Sequence, residues 1–423
     1  MMYRMSHTTR TGGRGAAAAV LCALAAAAAA QDANAPSWPQ WLGPARNGVS
    51  NETAWRSDFD ANGPPVLWKA RVGAGFGGIS VAGGRACTLG NQDGNDTVTC
   101  FGARDGKVLW QNSYACPAII PRGLINLYPG PRSTPTLAGG MVYTLSRAGH
   151  LRCLDAAAGR LLWRRDLRDE PVGIGLPTFG LACSPLAVGR LVVVDVGRIV
   201  AVDARSGAVA WQSRKYRQAY SSPVALTVDG RQCVAAFNGD GLAVVDANDG
   251  AQVLLHPWRF LFIDNCTTPL VSGQLCFLST CQHPGSGVVK LAGGKATTVW
   301  RNGEMQNLYS NSVLAGGMLF GFHGGLLGPG SLRCVDFATG NWKWTERSVK
   351  MGGLIAAGGR LIILSDGGEL VVAEASDKGF KPLARAQVLK GACWAPPALA
   401  GGLLYCRNHS GDVVCLDLRA AGK

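Results

Sequence analysis

The segment Ser331-Leu332-Arg333-Cys334-Val335-Asp336-Phe337-Ala338-Thr339-Gly340-Asn341-Trp342-Lys343-Trp344 is the clearest copy of a pattern that recurs along most of this chain. A short apolar strand, an Asp, a Gly turn and a second strand closing on Trp return every forty to fifty positions, the period of a β-propeller blade. The closing tryptophan is read at Trp68, Trp110, Trp163, Trp211, Trp300 and Trp344, and two further copies have lost it near Leu254 and Leu383. Three ladders of Gly turns run through the repeats, for example Gly139-Gly140, Gly149 and Ala158-Gly159 in one copy. Three turns per repeat separate four strands, so each copy is a four-stranded antiparallel sheet.

The expected fold is therefore all-β: an eight-bladed β-propeller with almost no helix. The last repeat, Ala398 to Leu418, supplies three strands before the chain ends, and Val66-Leu67-Trp68-Lys69-Ala70-Arg71-Val72 is the missing outer one. Pairing the two ends would complete the eighth blade and cover edges that an open array leaves bare. The expected organisation is a leader over 1–30, cleaved at 30/31 or 35/36, a cap segment over 31–63 and the propeller over 64–420.

The leader is read from Arg4, Arg10 and Arg14 followed by an Ala/Leu/Val run from Ala16 to Ala30. A basic start, an apolar stretch and small residues at the exit make a secretory signal, and the run is too short to span a bilayer. Cys22, preceded by Ala19-Val20-Leu21, does not form a lipoprotein cleavage box. A periplasmic or secreted protein without a transmembrane segment is expected. The formal charge of +14 includes the three leader arginines, and the remaining basic residues are scattered rather than blocked. This balance suits anionic partners, whereas export argues against nucleic acid.

Thirteen of the 14 cysteines lie beyond the leader. Cys87 with Cys100, and Cys406 with Cys415, fall on consecutive strands of one blade, so either pair could be cross-strand neighbours. Cys100, Cys153, Cys334 and Cys415 share one repeat position and read as buried thiols. Cys116, Cys183, Cys266 and Cys393 stand just before an inner strand, near the channel mouth. No Cys-x-x-Cys or Cys/His spacing marks a metal site. His150 and His409 fall at tight turns and are expected to be exposed, and no catalytic set can be nominated.

The repeats resemble those of pyrroloquinoline-quinone-type propellers, on Leu154-Asp155-Ala156 with Gly159-Arg160 and Trp163, Val202-Asp203-Ala204 with Ser206-Gly207 and Trp211, and Val335-Asp336 with Thr339-Gly340 and Trp344. The opening Trp38-Pro39-Gln40-Trp41-Leu42-Gly43-Pro44-Ala45-Arg46-Asn47-Gly48 is similar to that of exported members described as BamB-like or polyvinyl-alcohol-dehydrogenase-like. The resemblance implies Trp-mediated docking between blades, at Trp68, Trp110, Trp163, Trp211, Trp300 and Trp344. It offers two functions. One is a non-catalytic binding scaffold of the cell envelope, with no cofactor and an envelope protein, polysaccharide or small molecule as its partner. The other is a pyrroloquinoline quinone (PQQ)- and Ca²⁺-dependent alcohol or sugar dehydrogenase. Such dehydrogenases place a pair of adjacent cysteines over the cofactor, and this chain has no Cys-Cys dipeptide.

A binding face is expected where the outer strand of one blade passes to the inner strand of the next, since long loops carry function. The candidate residues are Arg122, Tyr128, Arg132, Phe179, Tyr216, Tyr220, Trp258, Tyr309 and Trp394, a mixture of aromatic and cationic groups typical of binding hot spots. A monomer is expected.

Overall fold

The computed structural model describes residues 1, 36–117, 130–259, 265–324, 328 and 330–420. The leader beyond Met1 and the candidate loop residues Arg122 and Tyr128 lie outside them.

Eight four-stranded antiparallel sheets follow one another in chain order, and no helix occurs among the described residues. Blade one spans Ser80 to Ala115, blade two Thr136 to Asp166, blade three Leu186 to Gln212 and blade four Val224 to Pro257. Blade five spans Leu270 to Asn302, blade six Val313 to Glu346 and blade seven Gly352 to Gln387. Blade eight takes three strands from Ala398 to Asp417 and its outer strand from Val66–Arg71, with Trp68 opposite Cys415. The ring is therefore closed by its own two ends, as the repeat arithmetic requires. Arg407 clamps the joint: its buried guanidinium donates to Thr88 Oγ1 at 2.7 Å and Leu89 O at 2.7 Å in the first blade, and to Gly75 O at 3.2 Å in the connection leading into it.

Neighbouring blades are locked by the closing tryptophans. Each outer strand carries a register shift immediately before the closing position, at Trp110 and Trp163 for example, and such a bulge re-aims the side chain. The indole then donates to a carbonyl on the next blade: Trp68 to Ala103, Trp110 to Ala156 and Trp163 to Ala204, all at 3.0 Å. Trp211 reaches Ala247 at 3.1 Å, Trp300 Phe337 at 2.8 Å and Trp344 Ser376 at 2.8 Å. Four of the six indoles stand opposite a cysteine in the third strand, Cys415, Cys100, Cys153 and Cys334. This explains the repeated thiol, a small buried group that leaves room for the ring.

Register corrects one position. The residue equivalent to the closing Trp in blade seven is Ala384, opposite Val372, whereas Leu383 is exposed. The joints after blades four and seven therefore lack a closing indole and are filled from elsewhere. Trp258, four residues beyond Leu254, is buried against Cys276 and Leu278 of blade five with the Arg301 guanidinium 4.7 Å from its ring. Trp55, from the segment preceding the ring, bridges to Arg419 and lies 5.7 Å from the Arg360 guanidinium at the joint of blades seven and eight.

The N-terminal segment is expected to cap the ring; it runs inside it. Trp38 bridges Val81 on the inner strand of blade one, and Pro39 accepts from Leu137 N in blade two. The chain then turns and returns as Val49–Ser50, a short strand parallel to Gly352–Ala357 of blade seven. It leaves with the Glu52 carboxylate on the backbone N–H groups of Gly401 and Gly402 in blade eight. Leu42 and Arg46 hold positive φ within this turn, which costs each about 1–2 kcal/mol, and both side chains are buried in return. At Gly48 (φ 75°) a Cβ would lie 2.7 Å from Val313, so only glycine passes blade six here.

The docking claim is tested by two glycines of equal conformational demand. Gly159 (φ 69°) would place a Cβ 2.4 Å from the Trp110 ring, whereas Gly230 (φ 78°) would meet nothing within 4 Å. Gly230→Ala is expected to cost about 1 kcal/mol, and Gly159→Ala about 1–3 kcal/mol more, in urea unfolding. Equal losses would contradict the docking role of Trp110.

Candidate functional site

The connections between blades gather at one end of the channel, and their first layer is a ring of hydroxyls. The backbone N–H of Gly78 donates to Thr134 Oγ1 (2.7 Å), that of Thr134 to Ser184 Oγ (3.0 Å) and that of Ser184 to Ser222 Oγ (2.9 Å). Thr268 N continues the series to Asn311 Oδ1 at 2.7 Å. Blades one, two, three and five thus each hand a hydrogen bond to the next at the start of the inner strand. The sequence signal is the recurring Ser133-Thr134-Pro135, Cys183-Ser184-Pro185, Ser221-Ser222-Pro223 and Thr267-Thr268-Pro269, which the repeat alignment passed over.

Above this ring opens a cavity of about 320 Å³ lined by Trp41, Phe76, Arg132, Phe179, Ala182, Ser184, Tyr220, Ser222, Cys266, Thr268, Leu308, Tyr309 and Trp394. The lining comes from seven of the eight connections and from the inserted N-terminal segment. Trp41 is fixed through Nε1 to Thr268 Oγ1 at 2.9 Å. Arg46 holds the turn beneath it: its buried guanidinium donates to Pro185 O at 2.8 Å and Ser184 O at 2.9 Å. Burial lowers the Arg46 pKa to about 10, so it stays charged at neutral pH.

The walls are aromatic. Tyr309 stacks on Trp394 with centroids 4.4 Å apart, Phe76 lies 5.1 Å from Trp394, and Phe179 lies 6.1 Å from Tyr220. Trp394 Nε1 donates to Asp366 Oδ1 at 3.0 Å, which fixes the indole plane. The Arg132 guanidinium carbon stands 5.6 Å from the Phe76 ring and is the one charged group among the described lining residues. His409, expected at an exposed turn, stacks on Phe76 at 5.7 Å with its Nδ1 3.2 Å from Ala392 O.

Arg132, Phe179, Tyr220, Tyr309 and Trp394 are thus brought together. Tyr216 and Trp258 are not. Tyr216 is buried at the joint of blades three and four, with its hydroxyl donating to Gln252 Oε1 at 3.2 Å, and Trp258 fills the next joint. Both belong to a series that sequence reasoning missed: a buried side chain four or five positions beyond the closing residue, also seen at Val72, Leu167, Met305 and Val349.

Cys87 and Cys100 stand directly opposite each other, but Cys406 faces Val414 and Cys415 faces Tyr405, so the second pair is not a cross-strand pair. Cys116, Cys183 and Cys393 are buried, and Cys266 lines the cavity. His150 is half-buried rather than exposed, edge-on to Tyr114 and 3.6 Å from Asp166. Among the described residues no group of three or more His, Cys, Asp or Glu is placed to hold a metal.

The quinone reading requires a cavity that fits PQQ and Ca²⁺. Calcium takes six to eight oxygen ligands with carboxylates among them, and the acid groups of the quinone need cationic partners. The described lining holds no Asp, Glu, Asn or Gln and a single Arg. These residues do not fit the pair.

The family model described as outer membrane protein assembly factor BamB matches residues 49–282. The chain belongs to this family of BamB-like quinone-repeat propellers. A BamB from Moranella endobia is 29% identical over 161 residues, 38% of this chain and 37% of that relative, so the alignment covers little more than a third of its length. The structure of BamB from Moraxella catarrhalis superposes with a TM-score of 0.62 at 20% identity, covering 85% of this chain and 99% of that one. The quinohemoprotein alcohol dehydrogenase of Comamonas testosteroni gives 0.65 at 13% identity, covering 95% and 84%. At these identities the superpositions establish the fold, which BamB-like proteins share with quinone enzymes.

The most perturbed acid near this face is Asp195, whose pKa burial raises to about 7 against the hydrogen bond from Gly197 N, and it does not line the cavity. Below about pH 4 the carboxyl is protonated folded and unfolded. Between about 4 and 7 the unfolded state ionises while the folded state keeps its proton, so stability falls as pH rises, by up to about 1.4 kcal/mol per unit. Asp195→Asn, which keeps the acceptor for Gly197 N, should gain about 1–4 kcal/mol on the wild type between pH 4 and 8 in urea unfolding. Parallel stability profiles would contradict this assignment.

Proposed function

We propose that this chain is an exported, non-catalytic binding protein of the cell envelope. It holds an apolar segment of an envelope protein, carrying an anionic group, in the cavity at the centre of its loop face. The observation that carries the reading is the lining itself: six aromatic side chains around one cation, without carboxylate or imidazole among the described lining residues. Aromatic anchors with Arg supply hot-spot binding energy, whereas the side chain that most often carries acid–base catalysis is His, followed by Glu and Asp. Export is supported by the leader-like composition of residues 1–30, and a protein partner by the description of the matching family as outer membrane protein assembly factors.

Two measurements test this. Immobilised protein should retain envelope proteins from a detergent extract, and Tyr309→Ala should reduce the retained amount at least about tenfold while leaving the melting temperature within a few degrees. Retention that ignores Tyr309 would sink the reading. Titration with PQQ and Ca²⁺ should give no saturable tryptophan quenching and no dye reduction with alcohols or sugars. Saturable binding with turnover would replace the scaffold by the dehydrogenase.

A further inference from the structure

Of the four cysteines that share the repeat position opposite the closing tryptophan, three face an aromatic residue on the second strand of their blade. Cys153 faces Tyr143, Cys334 faces Phe320 and Cys415 faces Tyr405. Cys100 alone faces another cysteine, Cys87. The hairpin that joins their strands turns at Asp93 (φ 51°) and Gly94 (φ 78°), the two positive values of a type I′ turn, and its closing pair is Gln92 with Asn95.

That turn fixes what kind of pair the cysteines form. In a two-residue hairpin the closing pair is hydrogen-bonded, and hydrogen-bonded and non-hydrogen-bonded pairs alternate from there. The ladder from Gln92–Asn95 back to Arg85–Gly102 has no register shift, and Cys87 lies an odd number of steps from the turn. Cys87 and Cys100 are therefore a non-hydrogen-bonded pair, the type in which Cα atoms approach to about 4.5 Å and side chains are closest. A disulfide needs Cα atoms about 4.4–6.8 Å apart and Cβ vectors that converge, and such a pair meets both conditions.

We propose that Cys87 and Cys100 close into a disulfide within blade one as the chain folds in an oxidising compartment. The Sγ–Sγ bond forms by exchange with a disulfide oxidant: one cysteine thiolate attacks the oxidant, and the second displaces it from the mixed disulfide. The two cysteines lose two protons and two electrons in total, and the oxidant leaves as two thiols.

The timing follows from burial. Both thiols are fully buried in the folded blade, packed with Leu89, Val98 and Trp110 against Leu137 and Val142 of blade two. Contact with the Cys100 thiol, and then burial, hold the Cys87 thiol well above its usual pKa, so little nucleophilic thiolate is present once the blade has packed. Oxidation therefore belongs to the hairpin before blade two docks on it. Once closed, the bond is shielded from reductants until the blade opens.

The test uses the full chain, reduced and unfolded in urea, then refolded in a buffer of oxidised and reduced glutathione. Free thiols are alkylated in denaturant before digestion with trypsin. Cys87 and Cys100 fall in one tryptic peptide, bounded by Arg85 and Arg104. That peptide is expected unlabelled and two hydrogens lighter than its dithiol form, and expected to take two labels after reduction. Its urea midpoint should fall in reductant, and the Cys87→Ala/Cys100→Ala chain should show a midpoint independent of redox buffer. A doubly labelled peptide from the refolded wild type, or a bridge from either residue to any other cysteine, would overturn the proposal.

Discussion

The hydrogen bond from an indole N–H to a carbonyl of the neighbouring blade is the interaction on which this molecule depends. A lone four-stranded blade leaves two apolar faces and two edges in water, and packing against its neighbours is what covers the faces. Six joints are made by the same indole, and the turn that receives it carries a glycine at five of them because a Cβ there would enter the ring. The shared joint makes the sequence repeat, and the pairing of Val66–Arg71 with Asp412–Asp417 closes the ring. Where the indole is absent, Trp258 and Trp55 reach the joint by other routes, so the constraint acts on the joint and not on one sequence position.

Legibility in sequence follows the same division. The closing Trp, the Asp-led turn and the borrowed strand at Val66–Arg71 are local patterns repeated many times, and repetition makes them readable. The path of Trp38 to Glu52 through the ring was not readable. Its contacts are unique and far away in sequence, as with Arg46 donating to Ser184 and Pro185. Tyr216 and Trp258 match the true rim residues in side-chain type and in distance beyond the outer strand; only their direction distinguishes them, and direction depends on the turn that follows each outer strand. Ala384 shows the same limit at finer scale, because a bulge moves the closing position by one residue relative to Leu383.

The cavity combines both kinds of information. Its walls come from connections at equivalent places in the repeats, and its floor comes from one non-repeated segment that contributes Trp41. A propeller channel left open would expose the inner strands to water; here the inserted segment fills it, and its buried Arg46 donates to the Ser184 and Pro185 carbonyls just ahead of the inner strand of blade three. Among the described residues, the cavity that remains at the loop face is lined by apolar and aromatic side chains with a single cation. That chemistry suits recognition by burial and stacking, and it lacks the oxygen-rich ligand set of calcium-dependent quinone enzymes on the same fold.

The central claim, that this cavity is where the chain meets its partner in the cell, is tested most directly by site-specific photocrosslinking in the living cell. A benzophenone side chain is placed at position 309 in the cavity wall or at position 342, where Trp342 is exposed on the outer strand of blade six. A light-dependent adduct of defined mass is expected from position 309 and none from position 342. Adducts from position 342 alone would place the working surface on the outer rim and contradict the claim.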